Sequence, residues 1–441
     1  MSNNRSDSLQ SNASTLSTLT SCSSESSVQL YEEKLKPSID AVKLEESDAP
    51  LQELADKAET IIKEKFASHP SSIYKYKKDS KEISVGLDKV MLAMLACADE
   101  GGGESGKRYV ACAILACSKE KDEIEALQAL GTTWLTHFLF IFKTTRGHGN
   151  QPNETPSDIT TLTIDKTTTH LRKGVGNRAK SFRNDVLLRD GYTCVLTGFE
   201  DRSHPQPSDD TPSVQLNGAH ILRRSICQFD HSKSVSHPTI RIKVFVGQTL
   251  FINYMQCKSA VTTFDILVNF IRIPVKKLEE LHERIDDADN GITLERNTQH
   301  AFDNFHWCLK QTETEHVYDL KVFNARAILK KPENNHITFR DRSNDFPSSS
   351  TRKMNHSIDL PNPLYIHIHA TIAEVMNMSG AGKFFDELLY VYKDNEGNVP
   401  PVRCWPELED VMEKQLLKES VTKLFELIYS SLPRNDRLHL T

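Results

Sequence analysis

The chain has no Cys-x-x-Cys pair, and its nine cysteines are odd in number and irregularly spaced. That pattern excludes a zinc ribbon or a four-cysteine finger and makes free thiols the expectation. Long hydrophobic runs are also missing. The most apolar stretch, Trp134 to Phe142, is interrupted by Thr136 and His137 and falls well short of the roughly 20 residues that a spanning helix needs. Met1 to Ser27 contains 11 serines and no apolar segment, so no secretory leader is expected. These absences predict an intracellular protein, nuclear or cytoplasmic, with no membrane partner. There is no overall basic excess either: 54 Lys and Arg stand against 60 Asp and Glu, a formal charge of −6. The total hides a local imbalance. From Leu171 to Ala260, 13 basic residues face 7 acidic ones, a local +6 that leaves −12 for the remainder. A nucleic-acid-facing middle between acidic flanks fits this asymmetry.

With 441 residues the chain exceeds one usual domain and can bury a sizeable core. Residues 1–45 are Ser/Thr-dense and predict a disordered tail. Residues 46–145 carry apolar positions at helical spacing, starting with Leu51, Leu54, Ala58, Ile61, Ile62 and Phe66. Further helical runs are expected over Ile83 to Ala98, Tyr109 to Cys117 and Ile124 to Phe142. Residues 146–170 read as a linker and 171–345 as a central α+β domain with an insertion at 230–285. Residues 346–441 read as a C-terminal helical region. Within the centre, a basic helix is expected to stop at Gly191, a short strand to cover Gly291 to Leu294, and a strand pair to cover Val317 to Ile328.

The run Gly101-Gly-Gly-Glu-Ser-Gly106-Lys107 looks like a phosphate-binding loop. It fails the context test. Arg108 stands where a hydroxyl should hold Mg²⁺, and Val90 to Cys97 reads as a helix where a buried strand is required. A flexible turn between two helices is the reading.

Three segments carry chemistry. They are Arg189-Asp-Gly-Tyr-Thr-Cys194-Val-Leu-Thr-Gly198, then Gly218-Ala-His220-Ile-Leu222, then Asp289-Asn290-Gly-Ile-Thr-Leu294 followed by His300-Ala-Phe-Asp303. Hydrolysis of a phosphodiester needs a base for water, which a neutral imidazole can be, and a divalent cation to offset phosphate charge. His220 and His300 could meet around one cation, and His300 and Asp303 share a helix face. Taken alone, His220 reads as a structural residue in a small strand. Cys194 reads as packing, and His367 and His369 as core or surface.

In order, these segments resemble the HNH endonuclease family, in particular its fungal branch, whose fold is the ββα-metal finger. The likeness extends to Leu360-Pro-Asn-Pro-Leu and to Met378-Ser-Gly-Ala381. It implies an α+β protein with a central ββα-metal module, helical N-terminal and C-terminal flanks and a disordered start. It also implies metal-dependent hydrolysis of nucleic acid, DNA rather than RNA. By the resemblance His220 is the general base, Asn290 orients its loop, and His300 with Asp303 holds the metal, Mg²⁺ first and Mn²⁺ or Zn²⁺ next. Arg183, Arg189, Arg223 and Arg224 are candidates for phosphate contact. The sequence departs from the pattern at Ala219, where many relatives place a carboxylate ligand. Ten residues separate Asn290 from His300 instead of nine, and about 70 lie between His220 and Asn290. The alternative is an inactive module that serves as a nucleic-acid- or protein-binding platform.

Overall fold

The computed structural model describes residues 24–78, 81–143, 181–223, 226, 261–346, 357–391, 402 and 404–414. The expected linker 146–170 and the first part of the insertion lie outside them. So do Arg224 and part of the expected C-terminal helical region, within which helix 405–414 (α12) is described.

Ser24 begins a helix, not a disordered tail. α1 (Ser24–Leu30), a π-helical stretch (Tyr31–Leu35) and α2 (Lys36–Glu45) run on without a break. Val28, Tyr31, Leu35, Ile39 and Val42 are buried along one side. Their spacing of three and four residues is the apolar stripe of an amphipathic helix, which the serine-rich average over 1–45 conceals. α3 (Leu51–Thr60) buries Leu54 and Ala58.

The expected helix over Ile83 to Ala98 is split. β1 (Ile73–Lys78) pairs antiparallel with β2 (Lys81–Gly86), setting Tyr74 opposite Val85 and Tyr76 opposite Ile83. All four are buried, and this period of two is the mark of a half-buried strand. Helix begins only at Leu87. α4 (Leu87–Cys117) then carries the glycine run as a kink: Gly103 has φ 60°, ψ −158°, a conformation open essentially to glycine alone. α5 (Glu123–Thr133) starts on an Asp122 cap and leads through buried Trp134, Leu135 and Phe138 to Phe142.

Helix 261–270 (α7) explains the glycines. A Cβ at Gly102 or Gly106 would come within 2.1 or 2.4 Å of the Phe270 carbonyl oxygen, and one at Gly101 within 2.8 Å of Thr371 Cγ2. The loop-like motif is thus the seat on which the end of α7 and the C-terminal helices rest. Arg108, in the position that argued against a phosphate loop, donates to the Glu46 and Ala49 carbonyls.

The middle of the chain builds a small sheet between helices. α6 (Phe182–Arg189) ends at Gly191, φ 68°. β3 (Glu200–Asp201) and β4 (Ser213–Val214) form a short parallel pair. β5 (Leu216–His220) pairs antiparallel with β6 (Gly291–Glu295), His220 opposite Gly291. α8 (Val275–Arg284) precedes β6, and α9 (Arg296–Asp303) follows it directly, its first N–H groups capped by the Glu295 carboxylate. β7 (Trp307–Gln311), β8 (Val317–Val322) and β9 (His336–Thr338) make a three-stranded sheet, so Val317's strand pairs with β7 and β9 and not with a second strand inside 317–328. α10 (Pro363–Ser379) and α11 (Ala381–Val391) close the described chain before α12. α10 packs against both α4 and β7. One contiguous apolar cluster, Tyr31 to Met412, joins the N-terminal helices, the β5–β6 pair, the three-stranded sheet and the C-terminal helices. The six cysteines among the described residues are buried and free.

Arg189 was a candidate for phosphate contact, and the structure assigns it elsewhere. Its side chain is fully buried. All five N–H donors are used: Nε and Nη2 grip Asp190, Nη1 donates to Ala288 O (2.6 Å) and Asp359 O (3.0 Å), and Nη2 also reaches Gly291 O (2.6 Å). Asp190 Oδ2 in turn accepts the Thr293 N–H at 2.8 Å. This pair fixes the start of β6 to the end of α6 and to the segment before α10.

Two outcomes follow from this packing. Gly106→Ala should lower stability by about 1–3 kcal/mol, the usual cost of overpacking. Lys107→Ala, which removes only an exposed ion pair with Asp99, should change it by less than about 0.5 kcal/mol; chemical denaturation of both variants measures the contrast. Arg189→Ala should destabilise by about 3–5 kcal/mol, since it leaves the buried Asp190 carboxylate without its cation. A variant melting like wild type while losing only salt-sensitive DNA affinity would return Arg189 to the surface role.

Candidate active site

His220 ends β5, and strand alternation aims it at α6. Gly218, on the same face, lies so close to α6 that a Cβ there would sit 3.1 Å from Arg183 Cα. The imidazole stacks on Phe182, ring centroids 4.2 Å apart and planes 9° apart. The partner position must be glycine-like: a Cβ at Gly291 would meet Val186 at 2.6 Å and Phe182 at 2.9 Å. His220 Nε2 lies 2.8 Å from Asp286 Oδ1, and the ring is 8% exposed. With a carboxylate there, Nε2 carries the hydrogen of the neutral ring and the lone pair falls on Nδ1.

Asn290 is fully buried on the turn before β6. Its amide donates to Leu222 O (3.0 Å) and Ile285 O (2.8 Å), and its Oδ1 accepts the Leu222 N–H (2.9 Å). The Asn290 carbonyl accepts the Ile221 N–H at 2.9 Å. The two residues that follow His220 are therefore stitched to the turn that precedes β6. Cys194 is packing: its sulfur accepts the N–H groups of Thr197 and Glu295, and Gly198, φ 72°, completes the turn.

His300 lies on the outer side of α9, whose buried residues are Thr298, Ala301 and Phe302. Its ring nitrogens are 3.2 and 3.4 Å from Asn304 Nδ2. Asp303 faces Arg223, 3.7 Å from Nε to Oδ1, and Arg223 also donates to the Asp303 carbonyl. Arg183 donates to Leu216 O and pairs with Asp201 at 3.0 Å. His367 bonds the Gly101 carbonyl, and His369 stacks on Phe302 at 3.7 Å with Nε2 on Phe302 O. Burial pushes His369 down to about 3, which makes it a neutral core residue near pH 7.

The structure gathers His220, Asn290 and Asp286 at one end of the β5–β6 pair. It does not join the two imidazoles. Asn217, one step out of phase with His220, bonds Gln299 of α9 at 3.0 Å, so α9 covers the face opposite the one His220 uses. Among the described residues no three His, Cys, Asp or Glu side chains stand close enough to hold a metal together. Asp303, the other expected ligand, is ion-paired with Arg223, and Ala219 carries no donor, so the expected set leaves His300 alone on α9. Sequence reasoning missed Asp286, Phe182 and Asn304. Asp286 is 66 residues from His220, and no spacing rule links them.

No helix among the described residues is long and apolar enough to cross a membrane. A sequence model described as HNH endonuclease matches residues 194–310, a span that begins at Cys194 and takes in β5, β6 and α9. No curated protein and no solved structure matches the chain. The α+β chain thus carries an HNH endonuclease domain at residues 194–310.

Proposed function

We propose that the chain is a divalent-metal-dependent endonuclease that hydrolyses phosphodiester bonds of DNA, with β5, β6 and α9 as its ββα-metal module. One observation carries the reading: within the matched segment, Asn290 fastens the residues beside His220 through side-chain hydrogen bonds on both amide atoms.

In this reading His220 takes the proton of the attacking water at Nδ1. Asp286 keeps the Nε2 hydrogen in place and steadies the imidazolium that forms, much as an acidic partner does in other acid–base dyads. Phe182 sets the ring plane. Asn290 holds the turn in register, so that His220 cannot swing with the long insertion that follows it. His300 would hold the ion, Mg²⁺ by preference and Mn²⁺ or Zn²⁺ as alternatives, with Asp303 as the expected second ligand. The bound ion supplies charge neutralisation at the scissile phosphate. Arg183 and Arg223 lie at the rim, each with part of its guanidinium committed to protein, and Arg224 is carried as a phosphate contact on sequence alone.

The opposite-face placement of the two imidazoles favours one competing reading, a module that binds nucleic acid or protein without cutting. Plasmid nicking decides between them. Wild type should nick with Mg²⁺ or Mn²⁺ and stop with chelator. His220→Ala should slow cutting about 10²–10⁴-fold while salt-sensitive DNA binding persists. DNA binding by the wild type with no cleavage under any of the three metals would establish the platform. Asp286→Asn should lower kcat and leave KM near wild type, because the amide can no longer stabilise an imidazolium. An unchanged kcat in single-turnover cutting would remove Asp286 from the reaction.

A further inference from the structure

The loop between β8 and β9 lies beyond the matched residues 194–310 and concentrates charge of one sign. From Lys321 to Pro332 there are four cations and no carboxylate. Lys321 pairs with Glu374. The other three, Arg326, Lys330 and Lys331, are exposed and have no ion-pair partner among the described residues. Lys330 lies over the Phe199 ring and Lys331 donates to Asn335 Oδ1 at 2.8 Å, and neither contact neutralises a charge. Between Arg326 and Lys330 stands Leu329, 65% exposed. A lone exposed leucine is ordinary. One set among unpaired cations has the make-up of a minor-groove contact, in which basic side chains flank an apolar one.

The loop is pinned at both ends. Asn324 Oδ1 accepts the Arg326 N–H at the start of a single 3-10 turn, Ala325–Ala327. Ala327 and Ile328 pack half-buried against the core, so Leu329 is the first apolar residue turned outward. Asn335, φ 54°, accepts the Leu320 N–H and closes the far end. The near end is bonded to α9: the Phe323 and Asn324 N–H groups donate to His306 O, and the His306 N–H donates to Ala301 O. The turn 325–327 thus packs beside α9, whose exposed residues include Arg296 and His300.

We propose that this loop is a docking surface for duplex DNA, with its three cations on phosphates and Leu329 against the deoxyribose of the minor groove. Unpaired cations on a chain of net charge −6 favour a polyanion, and each phosphate contact releases counterions. The apolar tip suits sugar carbons and is disfavoured by the 2′-hydroxyl that RNA displays in its shallow groove. The loop therefore supplies a preference for DNA that Arg183 and Arg223, each committed to protein, do not.

The proposal rests on the nuclease reading for its choice of partner, and the experiment lets either fail alone. Fluorescence anisotropy of the full chain with a labelled duplex, in chelator and over a salt series, reads docking without cleavage. The triple variant Arg326→Ala, Lys330→Ala, Lys331→Ala should bind about 10–100-fold more weakly and lower the slope of log K against log salt by about 2–3. Leu329→Ser should weaken DNA binding about 3–10-fold, leave that slope unchanged and leave binding to an RNA duplex as in wild type. All four positions are exposed, so both variants should melt like wild type. In cleavage, the triple variant should raise KM and keep kcat. Loop-dependent binding by a wild type that never cuts keeps the surface and removes the nuclease. Binding and cutting that none of these substitutions changes removes the surface and keeps the nuclease. A wild type that binds no duplex DNA, that uses the loop to bind phosphatidylserine–phosphatidylcholine vesicles instead, or whose Leu329 serves RNA as well as DNA would overturn the proposal.

Discussion

The buried Arg189–Asp190 pair is the constraint on which the central region depends. A guanidinium removed from water is costly unless every donor is used and a carboxylate stands beside it. Here the five donors reach Asp190, Ala288, Gly291 and Asp359, and Asp190 also takes the Thr293 N–H. Three stretches of chain separated by up to 170 residues thereby share one hub. The hub lies one helical turn and a strand start away from His220 and Asn290. Its directional bonds fix the register of β6, and a one-residue slip there would move Thr293 and Gly291 to the wrong face.

Hydrogen bonding of the backbone to side chains, more than side-chain convergence, defines the candidate site. Asn290 binds the chain on either side of the 70-residue excursion, and Glu295 caps α9. Gly218 and Gly291 let α6 lie flat on the strand pair, which is why Phe182 can stack on His220. Substituting either glycine would lift α6 and turn the imidazole. The same device recurs in the N-terminal region, where Gly102 and Gly106 let a carbonyl of α7 approach α4.

Sequence made the central elements legible because their signals are local. The stop at Gly191 and the strand at Gly291 each depend on neighbouring residues. The Val28-to-Val42 stripe was equally local, but composition averaged over 1–45 hid it. Ile83 and Val85 carry a period of two, but two positions directly before the Leu87 helix are too few to part strand from helix by pattern alone. Arg189 shows a different limit. Exposed and buried arginines are identical as letters, and only the three carbonyls that surround it, each distant in sequence, decide which it is. Asp286 belongs to the same class: its partner is 66 residues away. The alternation of β5 was readable, yet which face α9 would cover was not, and that choice parts the two imidazoles.

The long insertion between β5 and β6 is the feature that most needs a physical account. Closing 70 residues in place of a four-residue hairpin turn is about four doublings of loop length, an entropic cost of about 2.5 kcal/mol. Its described end does not hang free. Within α7, Asp265 accepts from Tyr31 and pairs with Lys36 at 2.7 Å, Asn269 accepts from Lys43, and the Phe270 carbonyl lies over the α4 glycines. The 24–45 helices thus face the excursion and hold its return path, α8 brings it to Asp286, and Asn290 closes it. Buried apolar contact along α7, from Phe264 through Ile266, Leu267 and Phe270, is worth about 1.5–3 kcal/mol per side chain and works against the entropy of closing and ordering the excursion. The flank that sequence alone would discard as a tail supplies part of the surface on which α7 is held.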